Sequence, residues 1–427
     1  MNVCNLEHFQ IHFENLQKHL KSSHLEKKTA QLRALEIDLK AKFSSKKIGF
    51  YDWPYDCSPT EINAIREYAE KIRTSCEGVI LMGIGGSYLG AVALLDALRD
   101  PNDSANFPFV WVSNADAPAI EKAQRLLKRK RCASVLISKS GGTTETLSSF
   151  FHLSGLLDKN SIAVVTDPVS GELRRLAKQN QWKAFEVPPN IGGRFSVLTA
   201  VGLLPLALGD VDVLGLLQGA REMRNLLEGL APEENPAYLF ALYSYLCDTE
   251  LKKNLHYLMP YQSNLKLLGD WFVQLFGESL GKKTLANASK SVGFTPVAAL
   301  GSTDQHSLLQ LFKEGPSDKV VGFIDVLPKN DDPLVGKSQY ASEAFDFLTR
   351  HSFSEINHKA CLATEQSLNS ASVPTYRIVL PEINAKVLGS LLFFFETACA
   401  MGGELYGIDA FDQPGVEEAK KLLRQSL

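Results

Sequence analysis

The feature that most constrains the fold is an alternation. Short apolar runs rich in branched residues, at 79–82, 109–112, 135–137 and 162–165, end in Gly, Ser, Asn, Thr or Asp, and stretches of helical length and period lie between them. A strand that is apolar throughout is covered on both faces, and strand–helix–strand repetition builds a parallel sheet. The alternation recurs at 255–259, 297–300, 320–324 and 376–380, with no strict sequence repeat. The expected fold is therefore α/β, with two doubly wound parallel sheets. Leu and Phe spaced at three and four over residues 5–45 predict a helical N-terminal segment, and 417–425 reads as an amphipathic C-terminal helix. At ~100–200 residues per domain, 427 residues fit two domains. The expected divisions are a helical segment at 1–50, a first α/β domain at 51–211, a second at 212–404, and a final turn and helix at 405–427.

Charge narrows the function. Lys and Arg number 45 against 48 Asp and Glu, a net charge of −3, so no broad basic surface exists for nucleic acid or an anionic membrane. The seven cysteines are scattered and form no C-x-x-C pair, which speaks against a disulfide framework or a Cys-rich zinc site. The N-terminus lacks a basic region followed by an apolar one, and the apolar stretch at 195–209 is interrupted by Pro205. A cytoplasmic protein is expected, with no metal and no redox cofactor.

Ligands of wound parallel sheets sit beyond the carboxyl ends of the strands. The first strand runs into Gly83-Ile84-Gly85-Gly86-Ser87, where glycines let backbone amides approach a phosphate, although a tight turn without a ligand fits equally well. Tyr88 stands at the third glycine position, so the dinucleotide fingerprint is absent. The third strand runs into Ser138-Lys139-Ser140-Gly141-Gly142-Thr143-Thr144-Glu145-Thr146. Hydroxyls, a cation and a helix start together favour an anion, where one such loop alone would read as ordinary capping. Near Gly277 the Walker A spacing is wrong, so a nucleoside triphosphate is not indicated.

Four further groups stand out. Arg194 follows two glycines and offers a permanent planar fork of donors. Glu278 follows an aromatic helix, with Gln274 one turn earlier on the same face, a setting that suits a general base as well as a solvated helix-end Glu. His306 follows Thr303-Asp304-Gln305, and imidazole moves protons near neutral pH. Lys420 lies on the first turns of the last helix, after Phe411-Asp412-Gln413-Pro414-Gly415. Each alone has an ordinary structural explanation.

Their order does not. From about Leu81 onward the set resembles the phosphoglucose isomerase family, in its short bacterial form. The glycine loop at 83–87, the Ser-Lys-x-x-x-Thr-x-Glu-Thr form at 138–146, Gly-Gly-Arg-aromatic-Ser at 192–196, Glu-Ser-x-Gly-Lys at 278–282, Gln305-His306, and the run from Gly403 through Phe411-Asp412-Gln413 to Lys420 fall in the family order. Pro189 and Pro414 depart from the common pattern, and Gly141 with Gly142 implies a more flexible phosphate loop.

The resemblance implies two sugar-isomerase domains and the reversible isomerisation of glucose 6-phosphate and fructose 6-phosphate in glycolysis and gluconeogenesis. By it, Gly86, Ser87, Ser138, Lys139, Ser140 and Thr143 hold the sugar phosphate. Glu278 moves the proton between C1 and C2, and Arg194 stabilises the cis-enediolate. His306 and Lys420 assist ring opening, and Gln274 and Gln413 position substrate. It further implies a homodimer with an active site shared between subunits, the His coming from the neighbour. The chemistry is coherent in itself, since a carboxylate, a fixed cation and a proton-transfer pair suffice for the reaction. Two other readings stay open: an isomerase that also accepts mannose 6-phosphate, and a non-catalytic sugar-phosphate-binding regulator.

Overall fold

The computed structural model describes residues 3–340 and 343–427. The strands of the two main sheets are β1 (Val3–Asn5), β2 (Gln10–His12), β3 (Gly78–Met82), β4 (Phe109–Val112), β5 (Cys132–Ile137), β6 (Ile162–Thr166), β7 (Lys183–Glu186), β8 (Leu255–Pro260), β9 (Thr295–Ala298), β10 (Lys319–Val326) and β11 (Thr375–Leu380); Lys282–Lys283 and Ser291–Val292 pair in a small antiparallel ribbon. The helices that matter below are α1 (Ser22–Ser44), α2 (Leu89–Leu98), α3 (Thr144–Leu153), α4 (Lys266–Leu280), α5 (Gln305–Glu314), α6 (Phe353–Ser370), α7 (Ala385–Tyr406) and α8 (Glu417–Ser426).

The chain divides into two compact units. The first comprises residues 37–221, 388–396 and 409–427. Its sheet is entirely parallel, in the order β4-β3-β5-β6-β7. Every residue of β3, β5 and β6 is buried, which is why these segments read as unbroken apolar runs. Helix side chains such as Phe150, Leu153 and Leu173 pack with Ile80, Met82, Leu136 and Val164 from the sheet. Strand β7 escaped the sequence reading. Its four residues, Lys-Ala-Phe-Glu, bury only Phe185 fully, so the apolar run that betrays a central strand is missing at this edge.

The second unit comprises residues through 36, then 222–387 and 397–408. Its sheet runs β1-β2-β11-β10-β8-β9. The four strands β11, β10, β8 and β9 are mutually parallel. The N-terminus corrects the helical expectation for residues 5–45. Residues 3–12 form an antiparallel hairpin whose β2 pairs antiparallel with β11, Ile11 opposite Ile378. Phe9, Ile11 and Phe13 are all buried, a spacing of two that belongs to a strand. Regular helix follows at Glu14–Gln17 and in α1, which buries Leu32, Leu39 and Phe43.

Among the described residues, α7 is the one helix long and apolar enough to cross a membrane, and 94% of its most apolar window is buried inside the protein. A buried core helix passes the same test of length and composition. All seven cysteines are buried and unbridged.

Candidate active site

In the first unit the loops after β3 and β5 lie side by side at the carboxyl ends of the sheet. The loop after β5 is held from within. Ser138 is buried, and its hydroxyl lies 2.8 Å from that of Thr143. The Gly141 amide donates to the Ser138 carbonyl (3.1 Å), and the Gly142 amide to the Ser140 hydroxyl (3.3 Å). Thr143 is the N-cap of α3, yet its side chain makes no cap bond. The first amides of α3 therefore keep their positive end for a ligand. Gly141 sits at φ +63°, with the Gly171 backbone only 3.1 Å from where a Cβ would stand. Glycine is required at 141 by conformation and by close packing, whereas Gly142 has no close neighbour at its Cβ position.

Lys139 does not stand free in this loop. Its Nζ donates to the main-chain carbonyls of Pro189 (2.7 Å) and Ile191 (2.9 Å). Burial lowers its pKa from the ordinary lysine value, with Asp167 pulling the other way. Pro189 contributes its carbonyl here, which proline carries as well as any residue.

The loop 83–87 packs against the Gly-Gly-Arg segment. A Cβ on Gly86 would collide with the Gly193 backbone, so only glycine lets the two loops meet. Ser87 closes a short turn, its amide donating to the Ile84 carbonyl at 3.1 Å, and α2 follows with no side-chain cap. Arg194 is 3% exposed. Its Nη2 donates to the carbonyls of Ala410 and Asp412, the latter at 2.9 Å, and its Nη1 reaches Gln413 Oε1 at 3.4 Å. The Gly-Gly-Arg and C-terminal signatures, some 216 residues apart, therefore form one structure. Lys420 lies on the exposed α8 and pairs with Glu417 at 2.7 Å. Arg424, farther along α8, donates to the Gly142 carbonyl at 3.3 Å.

The second unit carries the remaining candidates. Glu278 and Gln274 share a face of α4, with Gln274 Nε2 at 3.5 Å from Glu278 Oε2. Both are half-buried, on a helix that buries Trp271, Phe272, Leu275 and Phe276. Gln274 Oε1 is buried and unpartnered, an acceptor held in reserve beside the carboxylate. His306 lies in the first turn of α5, exposed, and its ring has no hydrogen-bond partner among the described residues.

The structure thus gathers Gly86, Ser87, Ser138, Lys139, Ser140, Thr143, Arg194, Gln413 and Lys420 in one unit, and Gln274, Glu278 and His306 in the other. Sequence reasoning missed Arg424 and the carbonyls of Pro189, Ile191, Ala410 and Asp412. Backbone acceptors leave no mark in residue identity. The one cluster of His and carboxylates within ligand distance, among the described residues, is Glu7, His8 and Glu222. Lys386 already sits 2.9 Å from Glu222, which disfavours a cation there.

Fold and loops together define a class, the α/β proteins of the sugar-isomerase type. A glucose-6-phosphate isomerase of Chlamydia trachomatis shares the fold over the whole of this chain (89% of its own), with a TM-score of 0.83 at 22% identity. A hypothetical protein of Thermus thermophilus superposes with a TM-score of 0.90 at 32% identity, over 98% of this chain and 99% of its own. The profile described as "Phosphoglucose isomerase" matches residues 62–427. The chain belongs to the phosphoglucose isomerase family. Glucose-6-phosphate isomerase of Carboxydothermus hydrogenoformans is 38% identical over 402 residues, covering 90% of this chain and 86% of the relative. Glucose-6-phosphate isomerase of Methanocaldococcus jannaschii is 35% identical, covering 90% and 91%.

Proposed function

We propose that this protein interconverts glucose 6-phosphate and fructose 6-phosphate, in glycolysis and gluconeogenesis, through a cis-enediolate. The observation that carries the reading is the loop at 138–143, whose hydroxyls and uncapped helix end suit a phosphate. The family positions for base, cation and acid are all filled in the same chain, by Glu278, Arg194 and His306. That filling disfavours a non-catalytic regulator.

The steps follow from these groups. The phosphate rests on Ser87, Ser138, Ser140, Thr143 and the amides near Gly86, with Lys139 supplying charge. Its binding energy orients the distant C1–C2 bond. His306 and Lys420 move protons as the C1–O5 bond breaks and the ring opens. Glu278 then removes the C2 proton, the electron pair forms the C1–C2 double bond, and the carbonyl oxygen takes the negative charge. Arg194 stabilises that charge. The C2 hydroxyl passes its proton to the C1 oxygen, the same carboxyl returns the carbon-bound proton to C1, and the C2 oxygen becomes the new carbonyl. Gln274 and Gln413 position the chain of hydroxyls. No redox cofactor or metal enters this scheme.

The active unit of this reading is a homodimer in the cytoplasm, each site taking His306 from its neighbour. An exposed imidazole without a hydrogen-bond partner among the described residues supports this, as do the exposed Val416, Leu422 and Leu423 around α8. The functional divisions of the chain follow the loops: a phosphate-binding portion at 51–211, a portion at 212–404 bearing base and acid, and the closing segment 405–427.

The test is conversion of fructose 6-phosphate to glucose 6-phosphate by purified protein, with EDTA present and a coupled dehydrogenase as readout. Turnover by the native protein, lost in Glu278→Gln with sugar phosphate still bound, is the expected result. Near-normal kcat in Glu278→Gln would reject the base assignment.

A further inference from the structure

Among the described residues the His306 imidazole has no hydrogen-bond partner, so its aim depends on what fixes the start of α5. The structure shows how that start is fixed. Asp304 Oδ2 accepts from the Leu300 amide at 2.8 Å, and Oδ1 accepts from the Ser307 hydroxyl at 3.0 Å. Gln305 points the other way and donates from Nε2 to Thr364 Oγ1 at 2.6 Å. The Thr364 hydroxyl has a single proton, and it goes to the Ala360 carbonyl at 2.8 Å. The hydroxyl therefore accepts from Gln305 and cannot reverse its role. Gln305 Oε1 is buried without a partner, so the bond to Thr364 is the polar anchor of this amide.

Thr364 stands on firm ground. It is buried on α6, between Cys361 and Leu368, which pack into the core. One residue on, Glu365 accepts from Arg377 Nε at 2.8 Å. Arg377 Nη1 lies 3.2 Å from Asp325, which also pairs with His358 Nδ1 at 2.8 Å. Asp325 is fully buried in β10, so these charges pin α6 to the sheet. A helix fixed in this way is a rigid abutment for the first turn of α5.

We propose that Thr364 is a positioning residue for His306. Its hydroxyl clamps the adjacent Gln305 and so sets the imidazole at the angle from which it exchanges a proton with the ring oxygen of the sugar. This rests on the isomerase reading and extends it to a residue outside the family motifs quoted above. In ring opening, the C1–O5 bond breaks, O5 gains a proton and the C1 hydroxyl loses one. Enolisation at C2 by Glu278 is a separate step. A misaimed His306 slows the first and spares the second.

A substrate that has no ring separates the two. Erythrose 4-phosphate carries its phosphate on the C4 oxygen, so no five- or six-membered ring can close. Thr364→Val keeps the shape of the side chain and removes the hydroxyl. The expected result is a roughly tenfold or greater fall in kcat on glucose 6-phosphate with KM nearly unchanged. Deuterium uptake at C2 of erythrose 4-phosphate should stay within about twofold of the native rate, and Thr364→Ser should restore most of the lost kcat. Gln305→Met removes the same bond from the other side and serves if Thr364→Val does not fold. Native kcat on glucose 6-phosphate in both variants would overturn the proposal, and so would an equal loss on both substrates. Absence of turnover in the native protein would instead reject the isomerase reading itself.

Discussion

Arg194 Nη2 lies 2.9 Å from the main-chain oxygen of Asp412, and the same guanidinium reaches the side-chain oxygen of Gln413 at 3.4 Å. The cation assigned to the enediolate is therefore also the clasp that fastens the C-terminal signature. One planar fork serves several acceptors at once, which an ammonium on a flexible stem does not match. Arg194→Lys keeps the charge and loses the fork. The expected outcome is a kcat lower by about 100-fold. Stability should fall by about 1–3 kcal/mol, because buried carbonyls lose their donor. Steady-state kinetics with urea unfolding checks both. A variant that lost activity at full stability would show that the clasp carries no weight.

Lys139 gives a prediction in pH. Burial lowers its folded pKa below the ordinary lysine value. Between the folded value and the unfolded ~10.4, the unfolded chain binds more protons, so this residue makes stability rise with pH in that window. Phosphate binding moves the opposite way, since the loop loses a positive charge. The alkaline limb of kcat/KM should thus begin below the ordinary lysine titration. Lys139→Arg, which stays charged, should move that limb to higher pH. An unchanged limb in that variant would assign it to another group.

Glu396 predicts a stabilising substitution. It is 1% exposed on α7, and its Oε1 has no partner. Burial raises its pKa well above the ordinary carboxylate value. A raised acid contributes fully below the unfolded value of ~4.3, and that contribution is lost as pH climbs through the folded value. At neutral and alkaline pH the residue is a liability. Glu396→Gln should raise stability, and by more at pH 8 than at pH 5. Thermal melts at the two pH values decide it, and an equal gain at both would show that charge is not the cause.

Much of the fold is legible because buried parallel strands advertise themselves. The eight apolar runs all fall in strands, with ends shifted by a few residues. Two exceptions have separate causes. Strand β7 is half-polar, and the N-terminal hairpin hides its period of two, Phe9-Ile11-Phe13, beside a long helix of period three to four. The candidates that the sequence names are those where the proposed chemistry needs a particular side chain, as at Ser138, Arg194, Glu278 and His306. The sequence is silent where a carbonyl does the work. Nothing in the residue types at 189, 191, 410 and 412 announces that two cations will lean on their backbones. Thr364 is similarly mute, one threonine among many until the helix that carries it is in place.

The pairing of β2 with β11 joins Ile11 to Ile378, 367 positions farther along the chain. A ribosome adding ~5–20 residues per second needs roughly 20–70 s to cover that interval. For all of that time the first strands have only each other, and a lone two-stranded hairpin is marginal in water. The hairpin at 3–12 is therefore made long before the strand it must join. Its sheet closes only once Thr375–Leu380 has been made, and a message cut short anywhere before residue 375 yields a product whose hairpin at 3–12 has no strand to join.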